Sequence, residues 1–335
     1  MSTDVLSEVL RSIRLRGALF YDLSFGHEWA VEAPPMKEIA GAVIPDAEHV
    51  MEYHVITKGR GWAAILGEEP IQLETGDIVI FPHGDAHVLS SAPGVEPARI
   101  EPAWICATSN DSKPISIVFR TVHEFSLGVV PVPESVNKVA CGFLGCDRRP
   151  INPLIAALPR LLHLPADNDS AWICQLMQQA VNASQIKRPG GEAVLERISE
   201  MMFVDAIRRH VERLPEESTG WLAGLRDRQV GRALALIHER PAHAWTIETL
   251  ASEVALSRSA FHDRFEKLVR QPPMQYLTEW RMEVASTLLR QSSAPVAAIA
   301  LDVGYESEAA FARAFKRLVG MPPARWRRNQ NRELE

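Results

Sequence analysis

Two segments of this 335-residue chain are copies of one pattern. Residues 260–276 read AFHDRFEKLVRQPPMQY, and residues 310–326 read AFARAFKRLVGMPPARW. The apolar, basic and paired-proline positions return after fifty residues. A fixed period of this length marks a repeated supersecondary unit. The unit is small and helical, with a short turn leading into a second helix whose polar face stays free. Two such units in tandem are what reading two successive stretches of DNA major groove requires.

Each unit can be built from its residues. In the first, Ile247, Leu250 and Ala251 give a short apolar helix, and Glu253 through Leu256 turn the chain. Ser257 is an N-cap, because its hydroxyl can accept from amides of the next turn. Phe261, Phe265, Leu268 and Val269 then follow at helical spacing and bury one face. Ser259, His262, Asp263, Glu266 and Lys267 fall on the other faces. In the second unit Val296, Ile299 and Ala300 make the first helix. Gly304 sits at the turn, where glycine takes a positive φ without steric cost. Ser307 is the N-cap, and Phe311, Phe315, Leu318 and Val319 bury the second helix, with Ala309, Ala312, Arg313 and Lys316 off that face. Between the units, Pro272-Pro273 opens a long helix with an apolar stripe of Leu277, Trp280, Val284 and Leu288. Such a helix fixes the separation of two readers, and adjacent major-groove faces lie about 34 Å apart on one side of B-DNA.

The segment SRSAFHDRFEKLVRQPPMQYLTEWRMEVA, followed by IALDVGYESEAAFARAFKRLVGMPPARWR, resembles the AraC/XylS family of bacterial transcription regulators, over roughly residues 226–328. The resemblance implies a seven-helix domain whose third and sixth helices enter successive major grooves. It implies base contacts from Ser259, His262 and Asp263 in the first reader, and from Arg313, with Glu308 and Ala309 nearby, in the second. The side-chain chemistry agrees in part: Arg313 can pair bidentately with guanine, His262 can donate to a purine, and Asp263 can accept from cytosine or instead pair with a neighbouring arginine. Arg258, Lys267, Lys316 and Arg317, with the capping residues Ser257 and Ser307, are candidates for phosphate contact; the four cations are otherwise solvated surface charges. The arginines Arg325, Arg327, Arg328 and Arg332 are either a solvated tail or further phosphate contacts.

Charge is divided along the chain. The whole carries −6, yet from Arg226 onward 17 Lys/Arg face 13 Asp/Glu. A basic back and an acidic front imply different partners. The front reads as antiparallel strands: IPDAEHVMEYHVITKGRGWAAIL, PIQLETGDIVIFPHGDAHVLS and PISIVFRTVHEF are short apolar runs broken by Gly, Pro and Asp turns. GDIVIFPHGDAH, Gly76 to His87, fits the second cupin motif, G-x5-P-x-G-x2-H. The place of the first motif is held by Tyr53-His54 and Gly59-Arg60-Gly61, without its HxH pair. His54, His83 and His87 are therefore read as polar pocket or loop residues, with no metal and no cofactor expected. The front half, about Leu6 to His163, is similar to the cupin-type effector domain found in many of these regulators. That similarity implies a β-barrel that senses a small-molecule effector, with His54, Trp62, Phe81, His87 and Trp104 as candidate lining residues.

The expected architecture is α+β. A cupin-like β-barrel occupies 1–150, a helical connector 151–225, and an all-α domain with two helix-turn-helix units 226–330. In the connector, Leu195, Ile198, Met202, Ala206 and Ile207 share a helix face after a Pro189-Gly190-Gly191 break. This region is either a homodimer contact or a helix packed on its own barrel. Four cysteines in a chain this long read as buried or free thiols, not a disulfide framework. No run of eighteen apolar residues is present and the first residues are charged, so no membrane span and no secretory signal are expected and the location is cytoplasmic. The expected function is a sequence-specific DNA-binding regulator, an activator, with double-stranded DNA, an effector, a second copy and RNA polymerase as partners, and no catalysis. The competing expectation is a metal-dependent cupin enzyme, a dioxygenase or isomerase, with an attached DNA-binding domain. An architectural DNA protein without a ligand is the third.

Overall fold

A computed structural model describes residues 4–12, 15–26, 28–45, 47–109, 114–119, 125–127, 137–146, 153–167, 171–184 and 190–332. Pro189 and the expected 150/151 boundary lie outside them. The strands are β1 (Arg16–Phe25), β2 (Ala30–Ala33), β3 (His49–Lys58), β4 (Arg60–Ile65), β5 (Ile71–Glu74), β6 (Ile78–Phe81), β7 (His87–Ser90), β8 (Ala98–Arg99), β9 (Ile115–Phe119), β10 (Phe125–Leu127), β11 (Asn137–Cys146) and β12 (Leu162–Leu164). The helices of the first half are α1 (Val5–Ser12), α2 (Ala40–Val43), α3 (Pro102–Thr108), α4 (Pro153–Ala157), α5 (Ala171–Ser184) and α6 (Gly191–Arg213). Those of the second half are α7 (Trp221–Arg226), α8 (Arg228–Glu239), α9 (Ile247–Glu253), α10 (Arg258–Val269), α11 (Pro273–Gln291), α12 (Val296–Asp302), α13 (Glu308–Val319) and α14 (Pro323–Arg332).

The chain divides into two compact units. One is Arg14–Asp147 with Leu158–His210, and the other is Met1–Ile13, Arg148–Ala157 and Val211–Glu335. The first holds a seven-stranded sheet, ordered β10-β9-β1-β11-β3-β6-β12, and a five-stranded sheet, ordered β5-β4-β7-β2-β8. Leu23, Ile56, Phe143, Val31, Ala63 and Leu89, drawn from both sheets, share one apolar core. Two sheets around one core are the sandwich or barrel that the alternating strand pattern implies, and the resemblance implies its cupin type.

Residues 151–225 are shared between the units. Strand β3 shows why most of α6 belongs with the sheets. It is buried on both faces, and successive side chains point to opposite sides. Tyr53, on one face, exchanges a 2.6 Å hydrogen bond with Ser199 of α6. On β1, a Cβ at Gly17 would lie 2.5 Å from the Cβ of Ser199, so only glycine lets helix and strand approach this closely. Farther along α6, the Arg209 guanidinium is buried and donates to Pro165 O and Asp167. Ile198, expected on the buried face of this helix, is only partly covered, and Phe203 and Ser199 take the deeper positions.

The second unit is all helical. It includes α1, which packs on α8. Helix α11 serves two cores at once. Tyr276 and Leu277 are buried in its N-terminal half, while Met282, Ala285 and Leu289 enter a cluster with Ile299, Phe311 and Phe315. The single stripe read from sequence is therefore split, and Val284 and Leu288 pack only at the edge of the second cluster. In the first core Tyr276 Oη accepts from Trp221 Nε1 at 2.8 Å and pairs with His238 Nε2 at 2.7 Å. His238 also stacks on Trp280 at 3.7 Å between centroids. Of the C-terminal arginines, Arg327 is anchored: it lies on α14 and donates to Leu289 O and Ala294 O, while Arg325 and Arg328 on the same helix are exposed. Among the described residues, no helix is long and apolar enough to cross a membrane.

Burial lowers the His238 pKa from 6.5 to about 3, and the Glu8 carboxylate 3.7 Å away does not offset it. The unfolded chain then takes up a proton at a pH where the folded chain does not. Stability contributed by neutral His238 is full above pH 6.5 and is lost as pH falls toward 3, by up to about 1.4 kcal/mol per pH unit. Thermal melts between pH 7.5 and 5 are expected to fall less steeply with acid for His238→Gln than for the unsubstituted chain. Parallel curves would remove His238 as the cause.

Candidate nucleic-acid interface and barrel cavity

The two helical repeats are built on matched contacts. Ser257 Oγ accepts from Ala260 N–H, and Ser307 Oγ accepts from Ala310 N–H, so both second helices start on the expected caps. Phe261 and Phe265 meet at 5.7 Å, Phe311 and Phe315 at 5.6 Å. Each pair is closed by an aromatic after the paired prolines, Tyr276 on Phe265 and Trp326 on Phe315. The turns also match: Leu256 N–H donates to Ala251 O at 2.9 Å, and Tyr305 N–H to Ala300 O at 2.8 Å. These bonds are offset by 49 residues and the caps by 50, so the second unit has one residue more between turn and cap.

The left-handed position of each turn differs. In the second unit it is Gly304, with φ +81°; in the first it is Ala255, with φ 55°. Helix ends repeat the contrast, with Arg270 at φ 66° closing α10 and Gly320 at φ 85° closing α13. The first repeat thus holds two side chains in a conformation that favours glycine. Arg270 is held there in part by its guanidinium, which donates to Thr219 Oγ1.

The candidate DNA-contacting side chains fall on the uncovered faces of α10 and α13. Ser259, Asp263 and Lys267 are exposed on α10, and Glu308, Ala309, Arg313, Lys316 and Arg317 on α13. His262 is half-buried, 3.6 Å from Asp263 and from Glu266. No arginine pairs with Asp263 among the described residues; His262 lies beside it, a charge partner only when its imidazole is protonated. Arg258 pairs with Glu248 at 3.1 Å. Arg264 fixes α10 against the start of α8, donating to the N-cap residue Asp227 at 2.6 Å. Burial would raise the Asp227 carboxyl, but the bonds from Arg264 and two backbone amides outweigh it and hold it below the ordinary value.

Inside the barrel, a cavity of about 40 Å³ is lined mainly by apolar side chains, including Leu23, Val31, Leu89, Ile117 and Phe143. Of the five lining residues expected from sequence, His54, His87 and Trp104 are on its wall. Trp62 and Phe81 are not. On β4 the inward residues are Gly61, Ala63 and Ile65, so the period of two turns Trp62 outward. Phe81 is fully buried behind His87, its ring stacked at 3.6 Å. His83 is exposed and bonded to Leu158 O.

The wall also contains Glu52, which the sequence reading passed over. The signal was present: Glu52 lies two residues before His54 on one strand, hence on the same face. Glu52, His54 and His87 are all buried, with donor atoms within 4.8 Å of one another. Nε2 of His54 and Nε2 of His87 are 2.7 Å apart, and each lies 3.8 Å from a Glu52 oxygen. Burial pushes His87 down to about 4 and His54 below its ordinary value, and pushes Glu52 up to about 8. Near neutral pH all three are uncharged, so the 3.8 Å approaches are not ion pairs. The tautomers follow from the partners. Nδ1 of His87 meets the Asp85 carbonyl, which only accepts, so His87 Nε2 is bare. His54 Nε2–H therefore donates to it, and His54 Nδ1 accepts from the Cys141 thiol at 2.8 Å. Burial raises the Cys141 pKa, which keeps the thiol protonated.

Residues 4–212 match the Cupin family, and residues 250–329 match the helix-turn-helix domain family. Across the whole chain, the protein is 33% identical over 328 residues to an AraC-like transcription regulator of Streptomyces lividans, covering 97% of this chain and 98% of that one. It is 27% identical to the HTH-type transcriptional regulator AlkR of Acinetobacter baylyi, covering 97% and 99%. Among solved structures, the DNA-binding domain of AdpA in complex with a target DNA is 31% identical, covering 31% of this chain and 92% of that one, with a TM-score of 0.30.

The two turns should answer opposite substitutions. Ala255→Gly is expected to stabilise the helical unit by ~0.5–1 kcal/mol, by relieving a left-handed alanine. Gly304→Ala is expected to destabilise it by more than ~1 kcal/mol, because the new Cβ would lie 2.6 Å from Ala242 O. Urea unfolding of the two variants measures both signs, and a loss of stability in Ala255→Gly would contradict the assignment of the turn.

Proposed function

The chain belongs to the AraC family of transcription regulators, and we propose that it binds a specific duplex with α10 and α13 and responds to a small molecule held in its barrel. The observation that carries the DNA reading is the matched pair of capped helices, each with a buried Phe-Phe face and a free polar face. Helix α11 is 19 residues, roughly 28 Å at 1.5 Å per residue, which suits two readers set one groove period apart. On α13, Arg313 is exposed and has no ion pair among the described residues, which leaves its guanidinium for a guanine edge. Glu308 and Ala309 flank it one turn earlier. On α10, Ser259, His262 and Asp263 are the base-reading candidates. Lys267, Lys316 and Arg317, with Ser257 and Ser307 at the helix starts, suit phosphate. Arg258 suits phosphate only if it leaves Glu248.

Support for an effector is the small apolar cavity with one polar wall on the inside of the barrel. A ligand there alters transcription only if it binds one arrangement of the protein better than another. Support for a homodimer is the apolar stripe left uncovered on α6, Val194, Met201 and Val204, spaced seven and three residues along one face. Activation through contact with RNA polymerase, in the cytoplasm where the promoter is, completes the reading. Catalysis has no role in it.

Arg313→Ala is expected to weaken binding to a selected duplex by ~1–3 kcal/mol and to leave binding to a random duplex nearly unchanged. Fluorescence anisotropy on both duplexes at one salt concentration reads the difference. An equal loss on both would make Arg313 a phosphate contact and defeat its base-reading role.

A further inference from the structure

We propose that Arg281 is a positioning residue for DNA reading: it locks the second helical repeat to the first, and so sets which spacing between two DNA boxes, one per repeat, the chain accepts. The inference rests on the reading of α10 and α13 as DNA-contacting helices and deepens it. Arg281 lies midway along α11 and is half-buried. Its Nε donates to Pro241 O and its Nη2 to His243 O, both at 2.8 Å. These carbonyls belong to the link between α8 and α9, which leads into the first repeat. The same guanidinium lies 5.8 Å from the ring centre of Tyr305, in the turn of the second repeat, and Tyr305 packs edge-on against Phe311 of α13. Around it the two repeats touch directly. Gly304 is so close to the link that a Cβ there would lie 2.6 Å from Ala242 O and 2.9 Å from Arg281 Nη2.

The joint is stiff on the side of the first repeat. Trp245 is buried, donates from Nε1 to Arg240 O and has the Arg240 guanidinium 4.8 Å from its ring centre, so the link is fixed up to the Thr246 cap of α9. Arg281 has no ion pair among the described residues, and its charge answers two carbonyl dipoles and a ring face. Apolar packing also holds each repeat to α11, but it is non-directional and allows small rotations, which a planar guanidinium forked onto two carbonyls resists. The repeat itself does not call for this arginine: fifty positions on, the sequence has Asn331. Small rotations matter through leverage. With readers about 34 Å apart, a tilt of about 10° at the joint moves the far helix by roughly 6 Å, close to two base-pair steps.

The test uses the full-length chain and the duplex it selects from a random library, whose two boxes are found by scrambling each in turn. Fluorescence anisotropy is read on that duplex, on versions with one base pair inserted or removed between the boxes, and on a duplex keeping a single box. The unsubstituted chain is expected to lose at least about tenfold in affinity for either change of spacing. Arg281→Met keeps the buried stem and removes the fork. It is expected to bind the selected spacing about fivefold more weakly, to reduce the spacing penalty to about threefold or less, and to bind the single-box duplex as before. Arg281→Lys, which keeps the charge without the fork, falls between the two. A folded Arg281→Met chain whose spacing profile superimposes on that of the unsubstituted chain, or which loses as much on the single-box duplex, overturns the proposal. Should Arg281→Met fail to fold, Arg281→Lys carries the same comparison, and equal binding of all three spacings by the unsubstituted chain overturns the proposal in any case. Failure of the unsubstituted chain to select any duplex would remove the DNA reading and this proposal with it, a result distinct from selection with a flat spacing profile, which removes the joint alone.

Discussion

A polar group taken out of water must find a partner, and this requirement organises both units of the chain. In the barrel it ties the outer face of β3 to α6 through Tyr53 and Ser199, and ties β6 to β12 and the chain beyond through Asp77, which accepts from His163 and from the amides of Ala166 and Glu74. In the helical unit it joins Trp221, His238 and Tyr276, from three different helices, at one hydroxyl. Apolar burial supplies the bulk of the stability in such cores, but these few directed bonds decide which packing of the same surfaces is native. At Glu52 one carboxyl oxygen breaks the rule, in the wall of a cavity.

The helical unit was legible because its periodicity is written twice. Caps, phenylalanines and paired prolines recur, and a feature ambiguous in one copy is fixed by the other. Ser257 is one serine among many until Ser307 stands at the matching place. The repeat hides one thing, the inserted residue between turn and cap in the second unit, because Gly304 marks its turn and Ala255 does not mark the first. A positive φ at alanine leaves no trace in sequence; tertiary packing imposes it.

The barrel was less legible, for a physical reason. Strands β3, β6 and β11 are buried on both faces, so hydropathy does not say which side looks into the cavity. Trp62 and Phe81 were natural candidates on size, and register alone turns one outward and sets the other behind a histidine. Glu52 was missed because a search for a histidine pair passes over a glutamate in the same position. Its meaning depends on His87, which is 35 residues away in sequence and is brought to it by the fold. Helix α1 likewise gives no sign in sequence that it belongs with the C-terminal unit, because an isolated amphipathic helix does not name the surface it covers.

The two proposed reading helices also differ in how their cations are employed. On α10, Arg258 is paired with Glu248 and Arg264 with Asp227, while His262 stands between two carboxylates. On α13, Arg313, Lys316 and Arg317 are exposed, and Glu308 sits at the opposite end of the helix, at its first residue. A cation already paired must give up that contact before it can meet a phosphate, whereas a solvated one gives up only water and counterions. On the proposed reading, the electrostatic share of duplex affinity therefore rests mainly on α13. The first helix offers the exposed Lys267, but its arginines are already paired, and it contributes more by shape and hydrogen bonding than by charge. Salt should accordingly weaken the grip of the second repeat before it disturbs the fit of the first.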